Sequence, residues 1–134
     1  LRQLDGIRKG HLLEFLRESH LLFKATSLYL NLRNADVTGT YINWSPGTLN
    51  LRYAPFTGVN FDNSSFSHIY CAYCDFSRAS LRKTNLNSFN LDYANLYNAK
   101  LQEIQISNGN FYQTDLSCAN LTGAKVTPSH VSNR

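Results

Sequence analysis

Residues 91–126 read LDYANLYNAKLQEIQISNGNFYQTDLSCANLTGAKV. An apolar residue returns at every fifth position: Leu91, Leu96, Leu101, Ile106, Phe111, Leu116, Leu121 and Val126. The same step runs backwards through Leu86, Leu81, Phe76, Cys71, Phe66, Phe61 and Phe56 to Leu51. At the 43% apolar background of this chain, sixteen such hits in succession arise by chance about once in a million. Two places before each hit stands a small or apolar residue, as in Ala94, Ala99, Ile104, Gly109, Thr114 and Ala119. The three other places hold mainly Asn, Asp, Ser, Thr, Arg and Tyr.

A period of five suits neither an α-helix, which would smear it around the circumference, nor a flat strand, which would alternate it between faces. It suits a short extended piece followed by a corner, with two inward residues per unit. Four such pieces close a squared coil of twenty residues. Stacked coils then hydrogen-bond at a rise of ~4.8 Å. Residues twenty apart should stand in columns: Leu51, Cys71, Leu91 and Phe111 on the first side, Phe56, Phe76, Leu96 and Leu116 on the second. The third side stacks Phe61, Leu81, Leu101 and Leu121, and the fourth Phe66, Leu86, Ile106 and Val126. Bulk trades within each inward pair, Phe111 going with Gly109 and Leu91 with Phe89, as a close-packed interior of fixed cross-section requires.

Ala94-Asn95-Leu96-Tyr97-Asn98, Ala119-Asn120-Leu121-Thr122-Gly123 and Thr114-Asp115-Leu116-Ser117-Cys118 match an A-(D/N)-L-x-x signature. On these residues the chain resembles the pentapeptide-repeat family over Leu49 to about Val126. The resemblance implies an all-β solenoid, a right-handed quadrilateral β-helix. Upstream, Leu30/Leu32, Ala35/Val37 and Thr40/Ile42 continue the pattern. From Ile42 to Leu51 is nine residues rather than ten, and Pro46-Gly47 is read as a corner absorbing a one-residue deletion. About five coils are expected, roughly 24 Å of stack at ~4.8 Å each.

The 134 residues fit one domain, and a chain that starts at Leu1 without any Met reads as a piece excised from a longer one. Residues 1–24 are expected to form an N-terminal amphipathic α-helix, with Leu4, Ile7, Leu12, Phe15, Leu16 and Leu22 on its apolar stripe. It would cap the β-helix of residues 25–134, whose end coil otherwise exposes backbone edges. The longest apolar run is Leu21-Leu22-Phe23, so no membrane span lies within this segment. The C-terminal end shows no second cap, and a homodimer through the last coil is one way to cover it. Three cysteines, Cys71, Cys74 and Cys118, do not make a disulfide scaffold, so a reducing, cytoplasmic setting is the simpler expectation.

Cys71-Ala72-Tyr73-Cys74 is a C-x-x-C, yet in the repeat phase both cysteines point inward. They are read as buried structural thiols, and Cys118 as outward and more reactive. His11, His20, His68 and His130 share no metal-ligand spacing, and no phosphate-cradling loop or nucleophile motif is present. Asp75 and Asp115, two coils apart, would lie ~10 Å from each other on a flat side with no cleft. No catalytic residues, metal or cofactor are therefore expected. The distinctive outer feature is a tyrosine ladder: Tyr53, Tyr73 and Tyr93 twenty apart, with Tyr70, Tyr97 and Tyr112 nearby. Such rings suit protein recognition or sugar contact, and the competing reading is that stacked like residues stabilise the solenoid itself. A basic group, Arg78, Arg82, Lys83 and Lys100, falls elsewhere, partly neutralised by Asp62 and Glu103.

The leading expectation is a non-catalytic scaffold or protein-interaction module. Direct nucleic-acid binding through the basic corner is a weaker alternative. Another comes from the resemblance: some pentapeptide-repeat proteins look like duplex DNA and bind topoisomerases. That mimicry needs a strongly acidic surface, whereas this chain carries a net charge of +4.

Overall fold

The computed structural model describes residues 32–43 and 47–128. The helix expected within residues 1–24 lies outside them, as do His11, His20 and His130. The described residues form a β-solenoid with four complete coils, centred on Leu51 through Val126, preceded by three sides of an earlier coil centred on Leu32, Val37 and Ile42.

The coil is built from one local conformation repeated. At each described unit before the one centred on Val126 the second residue after the centre has positive φ: Tyr53 (64°), Tyr73 (61°), Arg78 (58°), Tyr93 (58°), Asn98 (55°) and Glu103 (57°) among them. On three sides the centre's carbonyl accepts from the N–H three residues on, as in Ala54 N to Leu51 O at 3.0 Å and Ala99 N to Leu96 O at 3.0 Å. That bond with a left-handed third residue is a type II turn, and it bends the chain at every corner. Among the described residues glycine takes this place only at Gly39, Gly58 and Gly123. Elsewhere an L-residue is forced left-handed, at about 1–2 kcal/mol each.

What offsets that cost lies between coils. The centre's N–H donates to the next coil, Phe56 N to Asp75 O at 2.8 Å and Phe76 N to Asn95 O at 2.7 Å. The left-handed residue does the same, Tyr73 N to Asp92 O at 3.0 Å. The residue before the centre donates in the opposite direction, Asp75 N to Ala54 O at 3.1 Å and Asn95 N to Cys74 O at 2.9 Å. On the fourth side the pairing is continuous enough to form strands: β1 (Tyr41–Asn43), β2 (Leu49–Asn50), β3 (Ser65–Tyr70), β4 (Asn85–Asn90), β5 (Gln105–Gly109) and β6 (Lys125–Pro128). They make one parallel sheet in the order β1-β3-β4-β5-β6, with β2 also on β3. Phe66 opposes Leu86, Leu86 opposes Ile106 and Ile106 opposes Val126, the register of twenty.

The register also corrects the reading near Pro46. Ile42 opposes Phe66 while Leu49 opposes Ile69. The gap from Ile42 to Leu51 is therefore one unit of five plus an insertion of four, not two units less one. Nine residues leave the same remainder either way, and only the pairing of β1 and β2 with a single strand decides between them.

Asn and Asp before the centre have a local task. Their side-chain oxygen accepts the N–H two residues on: Asn50 from Arg52 (3.1 Å), Asn60 from Asp62 (3.0 Å), Asn95 from Tyr97 (2.9 Å) and Asp115 from Ser117 (2.9 Å). These Asx turns set up the corners where they occur. Inside, the two inward residues of each unit fill the coil. Phe56 stacks on Phe76 with centroids 5.0 Å apart, and Phe61 meets Phe66 edge-on at 5.1 Å. Thr84 and Thr114, polar at inward positions, donate to the centre carbonyls Phe61 O and Leu91 O of the preceding coil, both at 2.8 Å.

The two cysteines are not free thiols. Cys71 and Cys74, both fully buried, are joined as a disulfide with Cα atoms 5.4 Å apart. The centre of one side and the small position of the next are the first and last residues of a β-turn, so both side chains enter the interior within bonding reach. Cys118 is the free, exposed cysteine among the described residues.

Two predictions follow from this packing and from the Asx ladder. A Cβ at Gly109 would lie 2.7 Å from Phe111 Cζ and 2.7 Å from Ile106 Cγ2. Gly109→Ala should therefore destabilise by about 1–3 kcal/mol through overpacking. The double variant Gly109→Ala/Phe111→Leu, which copies Ala94/Leu96, should recover part of it, since the contact with Ile106 remains; equal urea midpoints for single and double variants would refute the pairing.

At Asp75, burial pushes the carboxyl up. Hydrogen bonds from Ser77 and Thr57 and the charge on Arg33 outweigh it, so the pKa sits below its ordinary 3.8. A depressed folded-state pKa stabilises above the unfolded value of about 4 and loses that stabilisation as pH falls through the folded one. Asp75→Asn, which keeps an acceptor for the Ser77 N–H, should be less stable than wild type at pH 7 and converge on it below about pH 4. Thermal midpoints against pH check this; parallel curves would exclude the carboxylate as a contributor.

Candidate functional site

Twenty-residue register places Tyr53, Tyr73 and Tyr93 directly above one another at the corner after the first side. Each is held left-handed, and each N–H is bonded to the next coil, at 3.2, 3.0 and 2.7 Å. Their rings stack. Tyr53 and Tyr73 have centroids 5.1 Å apart at 22°, and Tyr73 and Tyr93 are 4.7 Å apart at 1°. Tyr112 closes the ladder edge-on, 5.4 Å from Tyr93 at 78°. The four rings remain 61%, 41%, 40% and 62% exposed, in chain order.

Arg52 joins this group, which reading the sequence did not bring out. Its guanidinium carbon lies 5.3 Å from the Tyr53 ring centre, 5.6 Å from Tyr70 and 5.5 Å from Tyr73. The signal was available in the column Arg52, Ala72, Asp92: the smallest side chain sits one coil above the longest. Ala72 points outward by its place in the unit yet is 1% exposed, so the surrounding side chains close over it. Five of the six expected tyrosines, Tyr53, Tyr70, Tyr73, Tyr93 and Tyr112, thus belong to one cluster around Arg52 and the ladder. Tyr97 stands on the second side, 43% exposed, and shares no ring contact with them among the described residues.

Tyr53, Tyr73 and Tyr93 spend their faces on each other, so what these three stacked rings offer is mainly edges and hydroxyls. That geometry does not suit sugar stacking, which needs an open ring face. The Tyr93 phenol is held above its usual pKa by partial burial, by Tyr112 and Tyr73, and by the Asp92 carboxylate. It therefore remains a neutral hydrogen-bonding group at physiological pH.

Three carboxylates flank the cluster. Asp92 accepts from Asn90 Nδ2 at 2.9 Å and from the Tyr112 N–H at 2.8 Å. Asp75 accepts from Thr57 Oγ1 at 2.7 Å and the Ser77 N–H at 3.0 Å. Asp115, bonded to Ser117, is also held below the ordinary carboxylate value.

The basic group is dispersed. Arg78 occupies the corner after the second side, and Arg82, Lys83 and Lys100 the third side, all exposed. Arg82 stands over Asp62, whose Oδ1 accepts the Arg82 N–H at 2.9 Å, and Glu103 stands over Lys83 in the next coil. These are columns of mixed sign. His68 sits at a corner of the fourth side with its Nδ1 buried and without a hydrogen-bond partner. No group of three or more His, Cys, Asp or Glu able to hold a metal occurs among the described residues. No helix there is long and apolar enough to cross a membrane.

The ends of the coil differ from its middle. Three of the last coil's four centres are exposed, Leu116 by 38%, Leu121 by 41% and Val126 by 48%, whereas Leu96, Leu101 and Ile106 one coil earlier are buried. An apolar recess lined by Phe111, Leu116, Leu121 and Val126 continues from that end toward Leu96 and Leu101.

Comparison with known proteins bears on the fold. The family model "Pentapeptide repeats" matches in eight copies over residues 69–108 and 94–127. Curated proteins give no match. Among solved structures, full-length QnrB1, a plasmid-mediated fluoroquinolone resistance protein, is 18% identical with a TM-score of 0.42, covering 66% of this chain and 57% of QnrB1. The chain thus spans little more than half of QnrB1. A pentapeptide repeat protein from the Arabidopsis thaliana thylakoid lumen is 21% identical (TM-score 0.39), with 73% of this chain and 74% of that one covered. HetL, involved in heterocyst differentiation regulation in the cyanobacterium Nostoc, is 18% identical (TM-score 0.36) over 78% of this chain and 64% of its own. The matched copies and the twenty-residue coils carry the same repeat, and over residues 69–127 the chain matches the pentapeptide-repeat family.

Proposed function

We propose that this chain is a non-catalytic scaffold that docks a protein partner through the tyrosine–arginine cluster of its first side. The observation that carries the reading is a contiguous, exposed group of Tyr rings and one Arg on a backbone bonded coil to coil. Tyr and Arg are the residue types that dominate binding energy at protein interfaces. A rigid mount matters because little side-chain freedom is left to lose on docking. Nucleic acid is disfavoured here, since Asp75, Asp92 and Asp115 would face its phosphates. DNA mimicry is disfavoured as well, since Arg78, Arg82, Lys83 and Lys100 occupy the third side and its corner.

A photo-crosslinking phenylalanine analogue at Tyr112 should yield a partner adduct in cells that make the protein. The same analogue at Gln105, exposed on the fourth side, should not. Tyr73→Ser/Tyr93→Ser should keep the far-UV spectrum and weaken the adduct by about tenfold or more. Equal adducts from Tyr112 and Gln105, or an adduct indifferent to the Tyr pair, would remove the first side from the reading.

A second reading concerns the C-terminal end, where the exposure of Leu116, Leu121 and Val126 favours a homodimer. Sedimentation should show a dimer that Leu121→Glu converts to monomer. A wild-type monomer at high micromolar concentration would end that reading.

A further inference from the structure

We infer that the aromatic and acidic surface over the last three coils takes up arginine side chains of a basic protein segment. This rests on the reading of the first side as a docking surface, and it names the chemistry of the partner. The molecule supplies its own precedent. At the N-terminal end of the ladder the guanidinium of Arg52 sits 5.3–5.6 Å from three tyrosine ring centres. Further along, the same columns carry Ala72, Asp92 and Tyr112 where Arg52 stood, so the rings continue but the internal cation does not.

Tyr112 is turned 78° from Tyr93, which leaves at least one of its ring faces outside the stack. Tyr97 adds a further exposed ring on the neighbouring side. A cation lying on such a face is attracted by the ring quadrupole. Between and beside these rings stand Asp75, Asp92 and Asp115. The cation that these coils themselves carry on the first two sides is Arg78, at the far corner, while Arg33 acts on Asp75 and Arg52 on Tyr73 from nearer the N-terminus. Charge therefore points the same way as ring chemistry: this side is locally negative on a chain of net charge +4. A basic segment would be repelled by the third side and attracted to the ladder. Arginine fits better than lysine, because its planar fork both stacks on a ring and grips a carboxylate with two parallel bonds.

The test uses a fluorescein-labelled peptide of alternating Arg and Gly, with Lys-Gly and Glu-Gly counterparts, titrated against the full chain by anisotropy. The Arg peptide should bind, the Lys peptide should bind about three- to tenfold more weakly, and the Glu peptide should show no binding. Asp75→Asn/Asp92→Asn/Asp115→Asn removes the charge; it keeps the Asx acceptor at 75 and 115, as Asn95 does in the same column, and at 92 the acceptor for the Tyr112 N–H. It should weaken the Arg peptide by about tenfold or more with an unchanged far-UV spectrum. Tyr97→Ser/Tyr112→Ser should weaken it independently.

An Arg peptide that binds no better than the Glu peptide, or that ignores the three Asp→Asn changes, overturns the inference. If that happens while the Tyr112 crosslink to a partner persists, the docking surface stands and its arginine assignment falls. If the crosslink is also absent, both fall.

Discussion

The structure depends on one backbone constraint: a left-handed residue at the same place in successive units of five. That residue turns the chain through a corner and aims its N–H along the solenoid axis, where Tyr53, Tyr73, Arg78, Asn98 and Glu103 each bond to the coil that follows. The conformation is costly for an L-residue and would not persist in an isolated unit. It persists because the neighbouring coil repeats it. The cost of a corner is met by hydrogen bonds that exist only if the adjoining corners are made in the same way. Stability is therefore shared along the stack rather than owned by any one repeat.

Vertical register follows from that constraint, and it reaches the surface as well as the core. Residues twenty apart lie on top of each other whether or not the pairing suits them. Asn tolerates this best, since it offers an acceptor to its own turn and can donate to the coil beneath, as Asn95 Nδ2 does to Asp75 Oδ1 at 3.3 Å. Charged columns alternate in sign, Asp62 beneath Arg82 and Lys83 beneath Glu103. Tyrosine turns the enforced overlap into ring stacking. The ladder thus has a structural use as well as an exposed surface, and the pairs 4.7 and 5.1 Å apart contribute to both.

Much of this was legible before any coordinates. The five-residue step identified the inward residues, and the pairing of Phe111 with Gly109 follows from bulk alone. What remained hidden has physical reasons. The insertion before Leu49 leaves the same remainder as a deletion, so periodicity cannot separate them, whereas strand pairing can. The Cys71–Cys74 bond requires knowing that the centre and the residue three on are the two ends of a turn. The left-handed position did leave a trace, since Asn34, Gly39, Gly58, Asn63, Asn98, Asn108 and Gly123 all occupy it. Among so many other residue types that trace is faint, because the stack imposes the conformation on whichever side chain stands there.

The candidate surface was legible only in part, and the reason bears on function. Column membership predicted that Tyr53, Tyr73 and Tyr93 would align, because the backbone dictates it. It could not predict that Arg52 would lie across them or that Tyr97 would stand apart, because those depend on side-chain torsions outside the repeat. The core of such a solenoid is bound to its period, while each outer column is free to vary without disturbing the fold. Recognition on this chain therefore has to be sought where the outer columns depart from what stacking alone requires. Asn and Ser columns meet that requirement without further consequence. A cation laid over three rings, a buried outward alanine and three carboxylates gathered about one corner do not follow from stacking. They are the features that make the first side and the corner after it chemically different from the rest.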